Sequence, residues 1–245
     1  MLRLILDFGN TLFKAAVFDQ QKLIHKFFGD QLHIDDLLRL KSDFPELNKA
    51  IYSSVIELNP KLKEFLYSEF DTLELTHHTL LPIQNQYQTP ETLGKDRLAA
   101  AVGAAQLYPN KNLLIVDAGS SITYEIVIEN TYLGGAISPG IAMRFKALHQ
   151  FTGKLPWITT PTEQVNILGK NTKEAILSGV MQGILMEVDG IINHYKKRYP
   201  DLFVIITGGD LKHFDKNLKN NIFAAENLVL QGLNFILEYN DNKST

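Results

Sequence analysis

The chain has 245 residues, 45% of them hydrophobic, with 27 acidic against 24 basic side chains and a formal charge of -3. That balance leaves no electrostatic footprint for DNA or RNA, no run of like charges marks an interaction tail, and the lack of cysteine excludes disulfides and thiolate metal sites. The length suits one large domain or two smaller ones. Asp7 interrupts the only apolar stretch near the N-terminus that could serve as an export signal. No stretch is expected to supply the roughly 20 apolar residues of a membrane helix. The expectation is a soluble, cytoplasmic protein with no nucleic-acid and no membrane partner.

Residues 2–6, 13–18 and 23–28 read as three antiparallel strands, joined by turns at 7–11 and 19–22. Residues 33–40 suit a short helix with Ile34, Leu37 and Leu38 on one face. A strand over 50–55, a helix over 61–70 and a strand over 72–76 follow. His77-His78 invites a metal, but no third ligand stands at a suitable spacing. A polar loop over 80–90 carries Tyr87. Gly94-Lys95-Asp96-Arg97 then opens an Ala-rich helix whose small residues suit close packing. An acidic residue in a first helical turn is favoured by the helix dipole, which is one reading of Asp96. Arg97 in the same turn opposes that dipole and suits an anionic ligand instead.

Residues 113–128 organise the rest. A buried strand ends at Asp117, a turn holds Gly119 and Ser120, and a second strand follows. The N-terminus repeats the design: Asp7 corresponds to Asp117, Gly9 to Gly119 and Thr11 to Ser121, each 110 residues apart. One such hairpin is a weak signal. Two copies at one offset, with matched apolar flanks, point to a duplicated domain. If the two turns faced each other they would form a polar, Gly-lined cleft.

Gly134, Gly135 and the Ser138-Pro139-Gly140 turn suit either a bulge or a ligand-facing segment, and a helix follows over 141–150. Residues 151–170 show no periodicity, which marks a functional loop or a poorly ordered one. Asn171 or Thr172 caps the longest helix, with a stripe at Ile176, Val180, Ile184, Val188, Ile191 and Tyr195. Residues 202–207 form a strand leading to Gly208-Gly209-Asp210, a layout frequent at nucleotide sites but generic. A helical turn over 211–215, a strand over 222–225, a helix over 227–239 and a fraying 240–245 complete the reading.

Together and in this order, these segments resemble the type III pantothenate kinases, a family of the acetate kinase, sugar kinase, heat-shock protein and actin superfamily. The resemblance runs from about Leu4 to about Leu237. Asp-Phe-Gly-Asn-Thr (7–11) matches the family's Asp-x-Gly-Asn-Thr phosphate loop. Leu-Gly-Lys-Asp-Arg (93–97) matches its Gly-x-Asp-Arg motif, and Asp-Ala-Gly-Ser-Ser-Ile-Thr (117–123) its Asp-x-Gly-Thr-Ala-x-Thr motif. Residues 132–140, 152–156 and 207–210 fit as well. In departures from the pattern, Ser120 stands for a usual Thr and keeps the hydroxyl. Ser121 and Gly153 replace alanines, and Tyr124-Glu125 occupies a position where Asp is frequent.

The resemblance implies an α/β fold of two duplicated ribonuclease H-like domains of the actin and sugar-kinase type, residues 1–111 and 112–245, each a mixed five-stranded sheet flanked by helices. It implies ATP-dependent phosphorylation of pantothenate to 4'-phosphopantothenate, the first step of coenzyme A biosynthesis, by a homodimer. ATP with Mg²⁺ would lie on Asp7, Phe8, Gly9, Asn10, Thr11, Leu12, Phe13, Lys14 and Ser120. A monovalent cation, K⁺ or NH₄⁺, would sit at Asp117. Pantothenate would meet Tyr87, Gly94, Lys95, Asp96, Arg97 and Thr172, with Asp96 as proton acceptor. Phosphoryl transfer is mostly positioning and charge stabilisation, which suits Gly-rich turns with carboxylates. Another small-molecule kinase or polyphosphatase-like enzyme of the superfamily, and a nucleotide-switched regulator, are the competing readings.

Overall fold

The structure is a computed structural model, described here for residues 1–215 and 217–243. It groups the chain into two units: Met1–Asn110 with Glu129–Leu133 and Asn227–Thr245, and Lys111–Ile128 with Gly134–Glu226. The contiguous division expected from sequence, 1–111 and 112–245, therefore differs most at the last helix. That helix contacts elements of the first unit, for reasons given below.

In unit 1, β1 (Leu2–Phe8) is buried along nearly its whole length. It lies centrally in the sheet order β3-β2-β1-β4-β5 and is covered on both faces, so its apolar run is continuous rather than alternating. β2 (Phe13–Asp19) and β3 (Lys22–Gly29) pair antiparallel, while β4 (Lys49–Ser54) and β5 (Asp71–Glu74) add in parallel. The first turn is tighter than expected. Asp7 pairs with Lys14 and Phe8 with Phe13, so both belong to the strand and only 9–12 turn. Burying both phenylalanines draws the ladder out by two residues. Helices α1 (Ile34–Asp43) and α2 (Pro60–Glu69) connect these strands, and Asn59 caps α2 by accepting the Lys61 N–H. The short β6 (Gln84–Asn85), which falls in the expected polar loop, pairs in parallel with Thr131 and Tyr132. Two residues carry no periodicity to announce a strand.

Helix α3 (Lys95–Leu107) is buried on almost every side. The element it packs against is α6 (Leu228–Lys243). A Cβ on Gly232 would stand 1.8 Å from the Ala99 carbonyl oxygen, and one on Gly103 2.5 Å from that of Leu228. The two backbones meet directly, which the Ala- and Gly-rich sequence permits. Fully buried Asn234 on α6 donates to the Gln20 carbonyl and accepts from Arg3, and Arg3 also pairs with Glu238. These contacts tie α6 to unit 1. The helix runs past its expected end to Lys243; residues 244–245 of the expected fraying tail lie outside the described residues.

In unit 2, β7 (Leu113–Ala118) pairs antiparallel with β8 (Ser121–Ile128) and parallel with β10 (Phe203–Thr207), and β10 carries β11 (Phe223–Ala224) at its edge. β9 (Thr131–Pro139) neighbours β8. With β6 counted, this sheet has six strands rather than the expected five. Helix α4 (Ile141–Gln150) packs on α5 (Thr172–Arg198). The α5 stripe of Ile176, Val180, Ile184 and Val188 is buried as expected. Farther along, Ile192 is buried, while Ile191 and Tyr195 pack at the margin of the same core. Residues 151–170 contain no helix or strand, and α5 holds part of their path: Gln182 donates to the Val165 carbonyl and Ser178 to that of Ile167.

One expectation fails. By length and composition alone α5 could cross a membrane. Its apolar stripe packs in the unit 2 core. Its Asp189 accepts the backbone N–H groups of Lys219 and Asn220, and Glu187 pairs with Arg144.

The α3–α6 contact yields a stability prediction. Gly232→Ala forces a methyl group into the Ala99 backbone and should cost about 1–3 kcal/mol or more. Thermal unfolding should show a fall in Tm of roughly 2–4 °C per kcal/mol for a chain of this size; an unchanged Tm would contradict the contact.

Candidate active site

Asp7 is the buried acidic group at the end of β1. Parallel pairing with β4 puts Ser53 beside it, and the Ser53 hydroxyl donates to Asp7 Oδ1 at 2.7 Å. Burial raises the Asp7 carboxyl above the ordinary range. The Ser53 hydrogen bond and the charge of Lys14 oppose that rise, and the negative charge of Asp96 adds to it. The carboxylate that closes the first strand is thus within electrostatic reach of the one that opens α3. In the turn beyond, Gly9 donates its N–H to the Leu12 carbonyl, and Asn10, Thr11 and Leu12 are exposed.

Asp96 sits in the first turn of α3, and its Oδ1 accepts the Arg97 N–H at 2.9 Å. A side chain at 94 would intrude there, because a Cβ on Gly94 would lie 2.6 Å from Asp96 Oδ1. The Gly-x-Asp order therefore leaves room for this carboxylate. Arg97 is nearly buried, with its guanidinium 5.7 Å from the centre of the Tyr87 ring; that ring in turn lies 6.1 Å from the Tyr132 ring. A flat cation stacked on an aromatic face keeps its orientation. Lys95 turns back to donate to the Leu93 carbonyl. Unit 1 thus sets Lys14 and Asp96 within electrostatic reach of Asp7, and Tyr87 against Arg97.

Unit 2 gathers three separate motif segments around Asp117. The Gly119 N–H donates to the Ser121 carbonyl, closing the turn that carries Ser120. Gly140 donates to the Ser120 carbonyl at 3.2 Å, and a Cβ on Gly140 would stand 2.1 Å from the Gly119 oxygen. From β10, a Cβ on Gly208 would lie 2.5 Å from Asp117 Oδ1, and Asp210 donates its N–H to the Ala118 carbonyl. Burial raises the Asp210 carboxyl, with His213 and Lys212 opposing. Residues 117–121, 138–140 and 207–210, remote in sequence, form one loop cluster. Thr172 begins α5 and is exposed. The cap is Asn171, which accepts the Glu174 N–H, so Thr172 is not needed for capping.

Among the described residues no group of three or more His, Asp or Glu could hold a metal alone. Isolated carboxylates such as Asp7 fit a cation that keeps most of its water and is carried by phosphate.

The family model of the type III pantothenate kinases matches residues 3–194. The chain belongs to the type III pantothenate kinase family. It is similar to the type III pantothenate kinase of Christiangramia forsetii, 45% identical over 98% of this chain and 99% of that one. That of Phocaeicola vulgatus is 46% identical over the same shares. Membership makes the protein a nucleotide-using kinase that works with ATP and a divalent metal.

Among solved structures, a conserved Campylobacter jejuni protein conjectured to be a Baf family transcriptional activator is similar at TM-score 0.63 and 27% identity, covering 98% of this chain and 99% of that one. A Clostridium difficile activator of 2-hydroxyisocaproyl-CoA dehydratase, solved with bound ADPNP, and an Arthrobacter polyphosphate/ATP-glucomannokinase share the fold at TM-scores of 0.55 and 0.53. Their identities are 14% and 11%; the activator covers all of this chain and 97% of its own, and the glucomannokinase 98% of this chain and 99% of its own. The α/β architecture of two mixed sheets is that of the actin and sugar-kinase type.

Ser53 has no mark in the sequence. Its place beside Asp7 depends on the parallel β1–β4 register, which local pattern does not encode. For this kinase, Asp7→Asn removes a buried charge while keeping an acceptor for Ser53. Because the folded Asp7 pKa lies above its unfolded value, the ionised group costs stability as pH rises through the folded pKa. The variant should therefore have a higher Tm than wild type at neutral pH and little turnover. A lower Tm would contradict the burial argument.

Proposed function

We infer that this chain transfers the γ-phosphoryl group of ATP to the primary hydroxyl of pantothenate, giving 4'-phosphopantothenate at the start of coenzyme A biosynthesis. The observation that carries the reading is the Asp96 carboxylate, free of any side chain at 94 and electrostatically coupled to Asp7, in a member of this kinase family.

In this reading residues 7–14 and Ser120 hold ATP. Backbone N–H groups of the 9–12 turn face phosphate oxygens, as turn amides commonly do, and Lys14 supplies positive charge. Asp7 would hold Mg²⁺, whose charge would offset that of the phosphates. The raised pKa of Asp7 supports this role, since a cation relieves the buried carboxylate. Asp117 would hold K⁺ or NH₄⁺, whose charge would offset repulsion between carboxylate and phosphate. Arg97, oriented by Tyr87, pairs with the pantothenate carboxylate; a guanidinium fork suits that group. Gly94, Lys95 and Thr172 complete the substrate site. Asp96 accepts the hydroxyl proton as the oxygen–phosphorus bond forms, a contribution typically worth about 10²–10⁴-fold.

The protein is further read as a cytoplasmic homodimer. The support is on α5, where Gly179, Gly183 and Gly190 would each accept a Cβ with nothing within 4 Å, beside exposed Met186. Glycines unneeded by packing within the chain suit a partner helix. A solution mass of one 27.7 kDa protomer would contradict it. A regulator that binds nucleotide without turnover is the second reading, favoured by the Campylobacter jejuni likeness. The duplicated units 1–111 and 112–245 remain part of the proposal, with α6 packed back on unit 1.

The deciding experiment is ADP release with and without pantothenate. Pantothenate-dependent ADP release that requires K⁺ or NH₄⁺ is expected, with Asp96→Asn folded but slower by about 10²-fold or more. Nucleotide binding without ADP release would favour the regulator, and full turnover in Asp96→Asn would remove the base.

A further inference from the structure

Glu187 lies on α5, outside every motif described above, yet three elements converge on it. Tyr124 of β8 donates to Glu187 Oε1 at 3.0 Å, and Ser138 at the end of β9 donates to the same oxygen at 2.6 Å. Arg144 of α4 donates through Nη2 to Glu187 Oε2 at 2.7 Å and to Ser138 Oγ at 2.7 Å, and through Nε to the Pro139 carbonyl at 2.8 Å. The carboxylate and the guanidinium are both only partly exposed, at 28% and 21%. Burial alone would raise the Glu187 carboxyl; the bonds from Ser138, Arg144 and Tyr124 outweigh it and hold the group below its ordinary value.

The bonded residues are not scattered. Ser138 and Pro139 immediately precede Gly140, whose N–H donates to the Ser120 carbonyl and whose Cα faces the Gly119 and Ser120 oxygens too closely to admit a Cβ. The conformation of 138–140 therefore sets where the 119–120 turn can lie. Two of the bonds to that segment, from Arg144 to Ser138 and Pro139, depend on the guanidinium that Glu187 fixes.

We propose that Glu187, with Arg144, is a positioning residue for the nucleotide: it holds the Ser138–Gly140 segment against the Ser120 turn and so shapes the phosphate-facing loop. The proposal rests on the reading of Ser120 as an ATP contact. It also assigns a place to Tyr124, where the chain departs from the family pattern: the phenol hydroxyl donates to Glu187 Oε1 and makes no hydrogen bond to the 138–140 segment.

The test is binding of a non-hydrolysable ATP analogue with Mg²⁺ by calorimetry, together with KM for each substrate. Glu187→Gln keeps the side chain's shape but turns an amide toward Arg144. It should weaken nucleotide binding and raise KM for ATP by roughly tenfold, the effect of about 1.4 kcal/mol, with kcat and KM for pantothenate near wild type. Ser138→Ala should weaken nucleotide binding in the same sense. Tyr124→Phe removes a donor that does not touch the segment and should lower Tm while leaving nucleotide affinity unchanged. If Glu187→Gln does not fold, Arg144→Met carries the same expectation. Unchanged nucleotide affinity in folded Glu187→Gln or Arg144→Met overturns the proposal, as does an equal loss in Tyr124→Phe. If wild type binds the analogue but releases no ADP with pantothenate, the kinase reading fails while the calorimetric comparison still decides this one.

Discussion

A carboxylate buried at the end of a central strand, with a second acid in electrostatic reach, is the constraint from which the unit 1 site follows. Asp7 ends the central strand of its sheet, where six of seven residues are out of water. Charge in such a place is costly unless something compensates it. One hydroxyl, from Ser53, and one cross-strand cation, from Lys14, oppose the cost, while Asp96 adds to it. A protein built for stability alone would not set two acids against each other here. In the proposed reading, a cation accompanied by phosphate would offset both negative charges.

The second unit uses close backbone approach rather than buried charge. Its loop cluster is drawn together by Gly140 and Gly208, whose missing side chains let carbonyl groups and the Asp117 carboxylate come within distances that any larger residue would prevent. The Glu187–Arg144 pair then fixes the segment leading into Gly140. Unit 1 applies the same device to its scaffold, where Gly103 and Gly232 let α3 and α6 meet backbone to backbone. Small residues thus act twice, once to hold a helix pair and once to shape a turn.

Much of this was legible in the sequence. The paired Asp-x-Gly turns 110 residues apart gave the two strand hairpins, and the Ala-rich run after Gly94 gave a helix made for close packing, with Asp96 in its first turn. What stayed hidden depends on pairing across distance. Ser53 meets Asp7 only through a parallel register, and Glu187 meets Ser138 through the packing of α5. β6 is two residues of an otherwise polar loop. The last helix follows the chain into unit 2 by sequence, but its Gly232 and Asn234 fit surfaces on α3 and β1. The apolar length of α5 also went unread, because Glu187 and Asp189 interrupt it; both are held within the fold, by Arg144 and by the 219–220 backbone.

The coupling between Asp7 and Asp96 is the claim on which the chemistry stands, and it can be measured without substrate. The Asp7 carboxyl resonance, followed through a pH titration by carbon-detected NMR in wild type and in Asp96→Asn, reports it directly. Neutralising Asp96 should lower the Asp7 pKa, because a neighbouring negative charge has been removed. An Asp7 titration that is the same in both proteins would separate the two carboxylates and leave the proposed base with no phosphate turn to serve.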